Sequence, residues 1–177
     1  LEVAAFGGKV KEPRTSLPER ADDYKLGNTW AYLIDLLDPQ GRIAFRIHYV
    51  DAASGPPHGI ASKKLIAERD VDLHIACVPG FEQTDDYPGT LLERHHVKYV
   101  LMGHWEDFFQ PRGAPLKPLR NVLDEASMGR FVKIVERALP EPRGVAPLTE
   151  PRGPHGKTWT LPVPGETFQF ATAGHFE

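Results

Sequence analysis

The sequence has very little cysteine and no large excess of charge of either sign. Cys77 is the only cysteine among 177 residues, so the chain can form neither an internal disulfide nor a cysteine-rich zinc site. Lysine and arginine number 21 against 24 for aspartate and glutamate, a net charge of -3. A chain with this charge has no broad positive electrostatic field to attract a phosphate backbone, so we expect no nucleic-acid partner.

Long apolar runs are also missing. No stretch approaches the roughly 20 apolar residues that cross a bilayer, so we expect no membrane partner. The chain begins at Leu1, with neither an initiator methionine nor a signal segment. We therefore expect it to be a portion of a longer polypeptide, and its cellular compartment is undetermined. The 41% hydrophobic and 25% charged residues are typical of a globular chain, and we expect 1–177 to form a single domain.

Aromatic and β-branched residues predict a sheet that contains a hairpin. Two strands are predicted at 29–37 and 42–50, joined by Asp38-Pro39-Gln40-Gly41, which has the residue preferences of a type I turn. In the second strand we expect one face to be buried and the other to be polar. The expected buried face holds Ile43, Phe45, Ile47, Tyr49 and Asp51. The expected polar face holds Arg42, Ala44, Arg46 and His48.

Helices alternate with strands along the rest of the chain. Helices are predicted at 60–69, from 87 or 89 to 96, and at 121–139. Further strands are predicted at 3–6, 71–78, 97–102, 158–162 and 167–172, the last two as a hairpin after a loop rich in proline and glycine at 140–157. This alternation is typical of βαβ units, so we predict an α/β fold, a mixed sheet with flanking helices.

Asp51 and His104 are the candidate site residues. Asp51 ends a predicted core-facing strand, and His104 follows another strand, with Gly103 before it allowing close backbone approach. Because α/β sheets bind ligands beyond their strand ends, the two side chains can converge there and hold zinc or a similar divalent metal. In the alternative interpretation, Asp51 caps its loop and His104 bonds to it without metal.

The other histidines have structural explanations. We expect His95 and His96 at the surface near a helix end, and His74 as a core histidine with satisfied hydrogen bonds. His155 and His175 are expected in solvent, and His58 is left open.

Three motifs together resemble the C-terminal half of the metallo-β-lactamase superfamily. GNTWAYLI at 27–34 is similar to the hairpin strand that precedes the family's metal-bridging aspartate, which would be Asp51. VDL at 71–73 resembles the strand after the first helix, and VLMGHW at 100–105 resembles the strand that carries the last histidine ligand, which would be His104. The resemblance covers roughly 26–139.

The resemblance implies half of a four-layer αββα sandwich and a metal-dependent hydrolase. It implies a small-molecule substrate, zinc as two ions or another divalent metal, and attack by a metal-bound hydroxide, with Asp51 bridging the ions and His104 completing the ligand shell of the second metal ion. The family's His-x-His-x-Asp-His loop is absent from this sequence. The chain therefore supplies only part of the site, and we expect it to need a missing N-terminal half or to self-associate.

Other interpretations stay open. The chain can be a metal-free α/β binding or structural domain that lacks the ligand loop. A nucleophilic Cys77 is a weaker idea, because small buried cysteines within apolar strands are usually inert. Trp105, Phe108 and Phe109 can either line a substrate pocket or close the core, and Glu106 and Asp107 can support the ligand histidine or begin a helix.

Overall fold

A computed structural model describes residues 15–17, 29–111, 113–139, 158–163, 165 and 167. Within these residues, five strands form one mixed sheet: β1 (Ala31–Leu37), β2 (Ile43–Val50), β3 (Leu73–Cys77), β4 (Tyr99–Gly103) and β5 (Trp159–Thr160). The helices are α1 (Lys63–Glu68), α2 (Gly89–Arg94) and α3 (Glu125–Ala138). The predicted α/β class is confirmed. The predictions for 3–6, 140–157 and nearly all of 167–172 lie outside the described residues.

The predicted hairpin is confirmed. β1 and β2 pair antiparallel, and the turn closes with the Gly41 amide donating to the Asp38 carbonyl at 2.9 Å. The Asp38 carboxylate accepts hydrogen bonds from the backbone amides of Gln40 and Arg42. Aspartate is favoured at the first position of such turns because its side chain can bond to backbone amides ahead of it.

The remaining strands are parallel and lie in the order of the sequence. The sheet runs β1-β2-β3-β4-β5, and β2 through β5 pair parallel. Crossovers between parallel strands are almost always right-handed. When each crossover leads to the next strand on the same side of the sheet, as here, the connecting helices all lie on one face of the sheet. The main core cluster accordingly joins residues of all three helices to residues from one face of β2, β3 and β4.

The opposite face of the sheet is apolar and contributes nothing to that cluster among the described residues. The strand register places these side chains on it: Tyr32, Ile34, Leu36, Phe45, Ile47, Tyr49, Leu73, Ile75, Tyr99 and Leu101. Tyr32, Ile34 and Leu36 on β1 remain 51%, 43% and 50% exposed, whereas Leu73 on β3 and Tyr99 on β4 are buried. We call this surface the open face.

The prediction for the two faces of β2 was wrong. Arg46, His48 and Val50 are the buried residues of this strand, whereas Ile47 and Tyr49 on the open face are only half-buried. The polar face is the one covered by helices, because neighbouring groups satisfy its charges and hydrogen bonds. Hydrophobicity alternation alone cannot detect such partners, since they come from distant parts of the chain.

Arg46 is fully buried in an ion-pair network below the helices. Its Nε and Nη2 donate to the two carboxylate oxygens of Asp35, its register partner on β1, at 2.6 and 2.8 Å. Its Nη1 donates to the carbonyls of Leu65 and Arg69. The backbone amide of Arg46 donates to the buried Asp72 carboxylate. The guanidinium therefore ties β1, β2 and the end of α1 together.

Replacing Arg46 should destabilise the fold strongly. Arg46→Met should lower the free energy of unfolding by about 3 kcal/mol, because it leaves a partly buried carboxylate and two carbonyls without their donor. The double variant Arg46→Met/Asp35→Leu should recover part of this loss. Arg42→Met, which removes an exposed ion pair with Asp38, is the control and should cost less than about 1 kcal/mol. Urea denaturation measures all three, and equal costs for Arg46→Met and Arg42→Met would contradict the assignment.

Three buried histidines lie beside this network. The Nδ1 atoms of His48 and His74 are 3.0 Å apart, and the His48 and His95 rings lie 4.5 Å apart between centroids. His95 Nε2 accepts a hydrogen bond from the Ala61 amide. Within the described part of the chain, His74 Nε2 and His95 Nδ1 have no hydrogen-bond partner. His74 is thus a core histidine but not a satisfied one, and the predictions that His95 is at the surface and His48 on a polar face were wrong.

The histidine cluster should make the fold sensitive to acid. Burial lowers the pKa of His48 and of His95 to about 4 and that of His74 well below 6.5. Between pH 6.5 and 4 the unfolded chain binds protons that the folded chain does not, so stability falls as the pH decreases, by at most about 1.4 kcal/mol per pH unit for each histidine. His74→Leu should make this fall shallower, and the exposed His96→Leu should not. Urea midpoints at pH 7.5, 6 and 5 test this, and midpoints independent of pH would refute it.

The predicted helix at 121–139 is present as α3, although it begins at Glu125. Asp124 and Ser127 form a reciprocal capping box at its start, and Phe131 and Val135 are buried one turn apart. No helix within the described ranges has the length and apolar content needed to span a membrane.

Candidate functional site

The candidate site lies at the sheet edge formed by the carboxyl ends of β2, β3 and β4. Asp51 follows β2, Cys77 ends β3 and His104 follows β4. Because β3 lies between the other two strands, the backbones of Asp51 and His104 are separated by two strand spacings, about 10 Å. The structure therefore brings both predicted residues to one edge of the sheet, on either side of Cys77. This edge is where α/β sheets usually bind ligands.

Asp51 is exposed at the rim of the open face. The Tyr49 hydroxyl donates to its Oδ1 at 2.8 Å, an interaction that strand alternation allows because residues two apart share a face. This hydrogen bond, together with burial, raises the pKa of Tyr49. Tyr49 therefore keeps its proton and orients the carboxylate. Among the described residues, Asp51 is held by this hydroxyl and not by amides of the loop after it, which does not support the loop-cap interpretation.

His104 is exposed and has a left-handed backbone conformation with φ of 59°. A non-glycine residue in this region is uncommon, and Asp86, His96 and Asn121 share the conformation in this structure. The preceding Gly103 confirms its predicted role, since a Cβ there would lie 3.2 Å from the Ala76 carbonyl oxygen of the neighbouring strand. His104 Nδ1 lies 3.7 Å from Cys77 Sγ. The turn after β4 thus brings the imidazole beside the end of β3.

Cys77 is buried and its thiol is protonated. Burial raises the pKa of Cys77 to about 11, and the negative charge of Asp51 acts in the same direction. The thiolate is the nucleophilic form of cysteine, so this environment opposes a nucleophilic role. The sulfur lies beside His104 Nδ1 and donates weakly to the Pro79 carbonyl.

The described residues do not form a complete metal centre. Carboxylate and imidazole are the donors zinc accepts, and Asp51 and His104 supply one of each. However, the described residues contain no cluster of three or more histidine, cysteine, aspartate or glutamate side chains arranged to hold a metal ion. Catalytic zinc usually has three protein ligands, so these two are insufficient by themselves.

The residues after His104 divide into a buried anchor and an exposed aromatic pair. Trp105 belongs to the core cluster, and its Nε1 donates to the Pro162 carbonyl. Asp107 is buried and its carboxylate accepts hydrogen bonds from Gln110 and Arg120. The expectation that Asp107 is an exposed acid at a helix start was therefore wrong, and its described partners do not include His104. Phe108 and Phe109 remain exposed.

Sequence reasoning missed two features of this region. It overlooked the Tyr49 hydroxyl that orients Asp51, although their spacing of two residues within a strand was a usable signal. It also overlooked the proximity of Cys77 to His104, which depends on the pairing of β3 with β4 and could not be read from either segment alone.

Comparisons of the chain with protein-family models, with curated proteins and with solved structures find no match.

Removing either candidate side chain should leave the fold intact. Asp51→Ala and His104→Ala should each change the free energy of unfolding by less than about 0.5 kcal/mol, because both side chains are exposed and neither belongs to the core. Thermal unfolding followed by circular dichroism measures this. A loss of several kcal/mol for Asp51→Ala would instead assign this carboxylate a structural role.

Proposed function

We propose that this chain is the C-terminal half of a metal-dependent hydrolase similar to the metallo-β-lactamase superfamily. In this proposal Asp51 and His104 are two of the metal ligands, and zinc is the metal. The remaining ligands come from a missing N-terminal half or, if the chain self-associates, from a second copy. The observation that carries the proposal is the position of both residues at one sheet edge, on the rim of an apolar face.

The open face supports a half-sandwich architecture. Its β1 edge exposes Tyr32, Ile34 and Leu36, and adjoining apolar side chains of this kind usually pack against another element. A second sheet is the natural complement, because two sheets pack face to face through apolar side chains about 10 Å apart. A second sheet with helices on its outer side would produce the four layers that the sequence resemblance implies.

The exposure of the two donors supports a site completed from that second layer. The Asp51 carboxylate and the His104 ring both remain accessible, and register and hydrogen bonding associate them with the open-face side of the sheet. Tyr49 lies next to Asp51, and Cys77 lies next to His104. Side chains from a sheet packed on the open face would therefore reach the same edge.

The competing candidate is a metal-free α/β binding or structural domain. The observation that favours it is the lack of a three-donor cluster among the described residues. The same open face would then serve as a protein interface without catalysis. Metal content separates the two candidates, because a binding domain has no need of zinc.

The test measures zinc in the intact polypeptide that contains this chain. The purified protein should contain bound zinc by plasma mass spectrometry. Asp51→Ala and His104→Ala should each weaken zinc binding at least tenfold, since replacing even an outer-shell partner costs about 10- to 100-fold. Hydrolysis of p-nitrophenyl acetate, bis-p-nitrophenyl phosphate and a chromogenic β-lactam is measured in parallel, and any activity found should disappear in both variants.

Glu93→Ala and His96→Ala are the matched controls. Both remove an exposed side chain of the same donor type away from the site, and both should retain full zinc content. An intact protein without zinc, or with zinc affinity unchanged in Asp51→Ala and His104→Ala, would contradict the hydrolase proposal and favour the metal-free domain.

A further inference from the structure

We propose that Phe108 and Phe109 form an aromatic wall that binds an apolar aryl group of the substrate beside His104. The inference rests on the proposed function for calling this ligand a substrate, and it adds the chemical class of that ligand. It is carried by the exposure, contacts and fixed placement of the two rings.

The two rings are exposed and adjoin a candidate ligand side chain. Phe108 and Phe109 are 57% and 63% exposed. Their ring centroids are 4.5 Å apart, and Phe108 lies 5.4 Å from the His104 ring. Neither phenylalanine belongs to the core cluster that contains the neighbouring Trp105. Of the three aromatic residues in this segment, Trp105 therefore closes the core, and the two phenylalanines face outward.

The wall is held in place by the loop that carries it. The Asp107 amide donates to the Lys117 carbonyl at 2.8 Å, and the Leu119 amide donates to the Trp105 carbonyl at 2.9 Å. The Asp107 carboxylate accepts from the Phe109 amide at 3.2 Å and from Arg120 Nε at 2.7 Å. Backbone and side-chain bonds on both sides of the rings thus oppose their turning into the core.

Aromatic side chains also flank the other end of the site. Tyr49, which bonds to Asp51, lies 6.2 Å from Tyr32 between ring centroids. A ligand at the sheet edge would therefore have an aromatic surface on each side of the Asp51 and His104 donors. This arrangement suits a reacting polar group with apolar substituents attached to it.

The size of the wall favours a small ligand over a protein partner. A stable protein interface buries about 800 Å² on each side, whereas one aromatic side chain buries about 150–250 Å². Two rings together therefore match one aryl group. Stacked or edge-on contacts with such a group add to the free energy of burying apolar area.

The experiment titrates the 177-residue chain with two neutral amides and follows the His104 ring protons by NMR. 4-Phenylbutanamide carries the ring, and butanamide is its matched probe without one; neither has a charge that Asp51 would repel. The chain should bind 4-phenylbutanamide at least about tenfold more tightly than butanamide. Nuclear Overhauser contacts should join the ligand ring to the Phe108 and Phe109 protons.

The double variant Phe108→Ala/Phe109→Ala should abolish this preference, whereas Leu37→Ala should keep it. Leu37 is a comparably exposed apolar residue at the opposite end of the sheet, and the dispersion of the amide spectrum checks that each variant is folded. Equal affinity of the wild type and the double variant for 4-phenylbutanamide, or ligand contacts only on the open face, would overturn the inference.

The zinc measurement keeps this inference separate from the proposed function. Ring-dependent binding in a protein without zinc would support the aromatic wall and contradict the hydrolase proposal. Zinc bound through Asp51 and His104, without ring-dependent binding of 4-phenylbutanamide, would support the hydrolase proposal and contradict the aromatic wall.

Discussion

The order of the parallel strands is the constraint on which the rest of this structure depends. β2, β3, β4 and β5 are neighbours both in the chain and in the sheet, and each connection advances in the same direction. Right-handed crossovers then place the connecting helices on one face and leave the other face of the sheet without them. The same order aligns the carboxyl ends of β2, β3 and β4, so one topological fact positions both the open face and the candidate site.

The covered face carries an unusually polar core, and its charges depend on exact partners. Arg46 bonds to Asp35 and to two carbonyls near α1, and three histidines lie beside it without charge. A buried pair of this kind adds little stability over apolar residues, but removing one partner is costly. We therefore expect this region to specify how α1 and the β1–β2 hairpin sit on the sheet more than it strengthens the fold.

The two sides of the sheet contribute differently to the proposed activity. The covered face positions the strand ends, while the open face and its rim carry the exposed Asp51 and the neighbouring Tyr49. His104 joins them through the left-handed turn after β4, which brings its imidazole beside Cys77. A zinc site at this edge requires donors beyond the described residues, and an apolar face beside the rim is where a donor-bearing layer would pack.

The sequence by itself determined the hairpin, the alternation of strands and helices, and the placement of Asp51 and His104 after strands. These features depend on local preferences, such as the Asp38 turn, that act over a few residues. Only the tertiary structure decided which face of β2 is buried and that His95 lies in the core. It alone also brought Cys77 beside His104. Burial of a polar side chain depends on partners far along the chain, as with Arg46 and Asp72, and no local pattern encodes them.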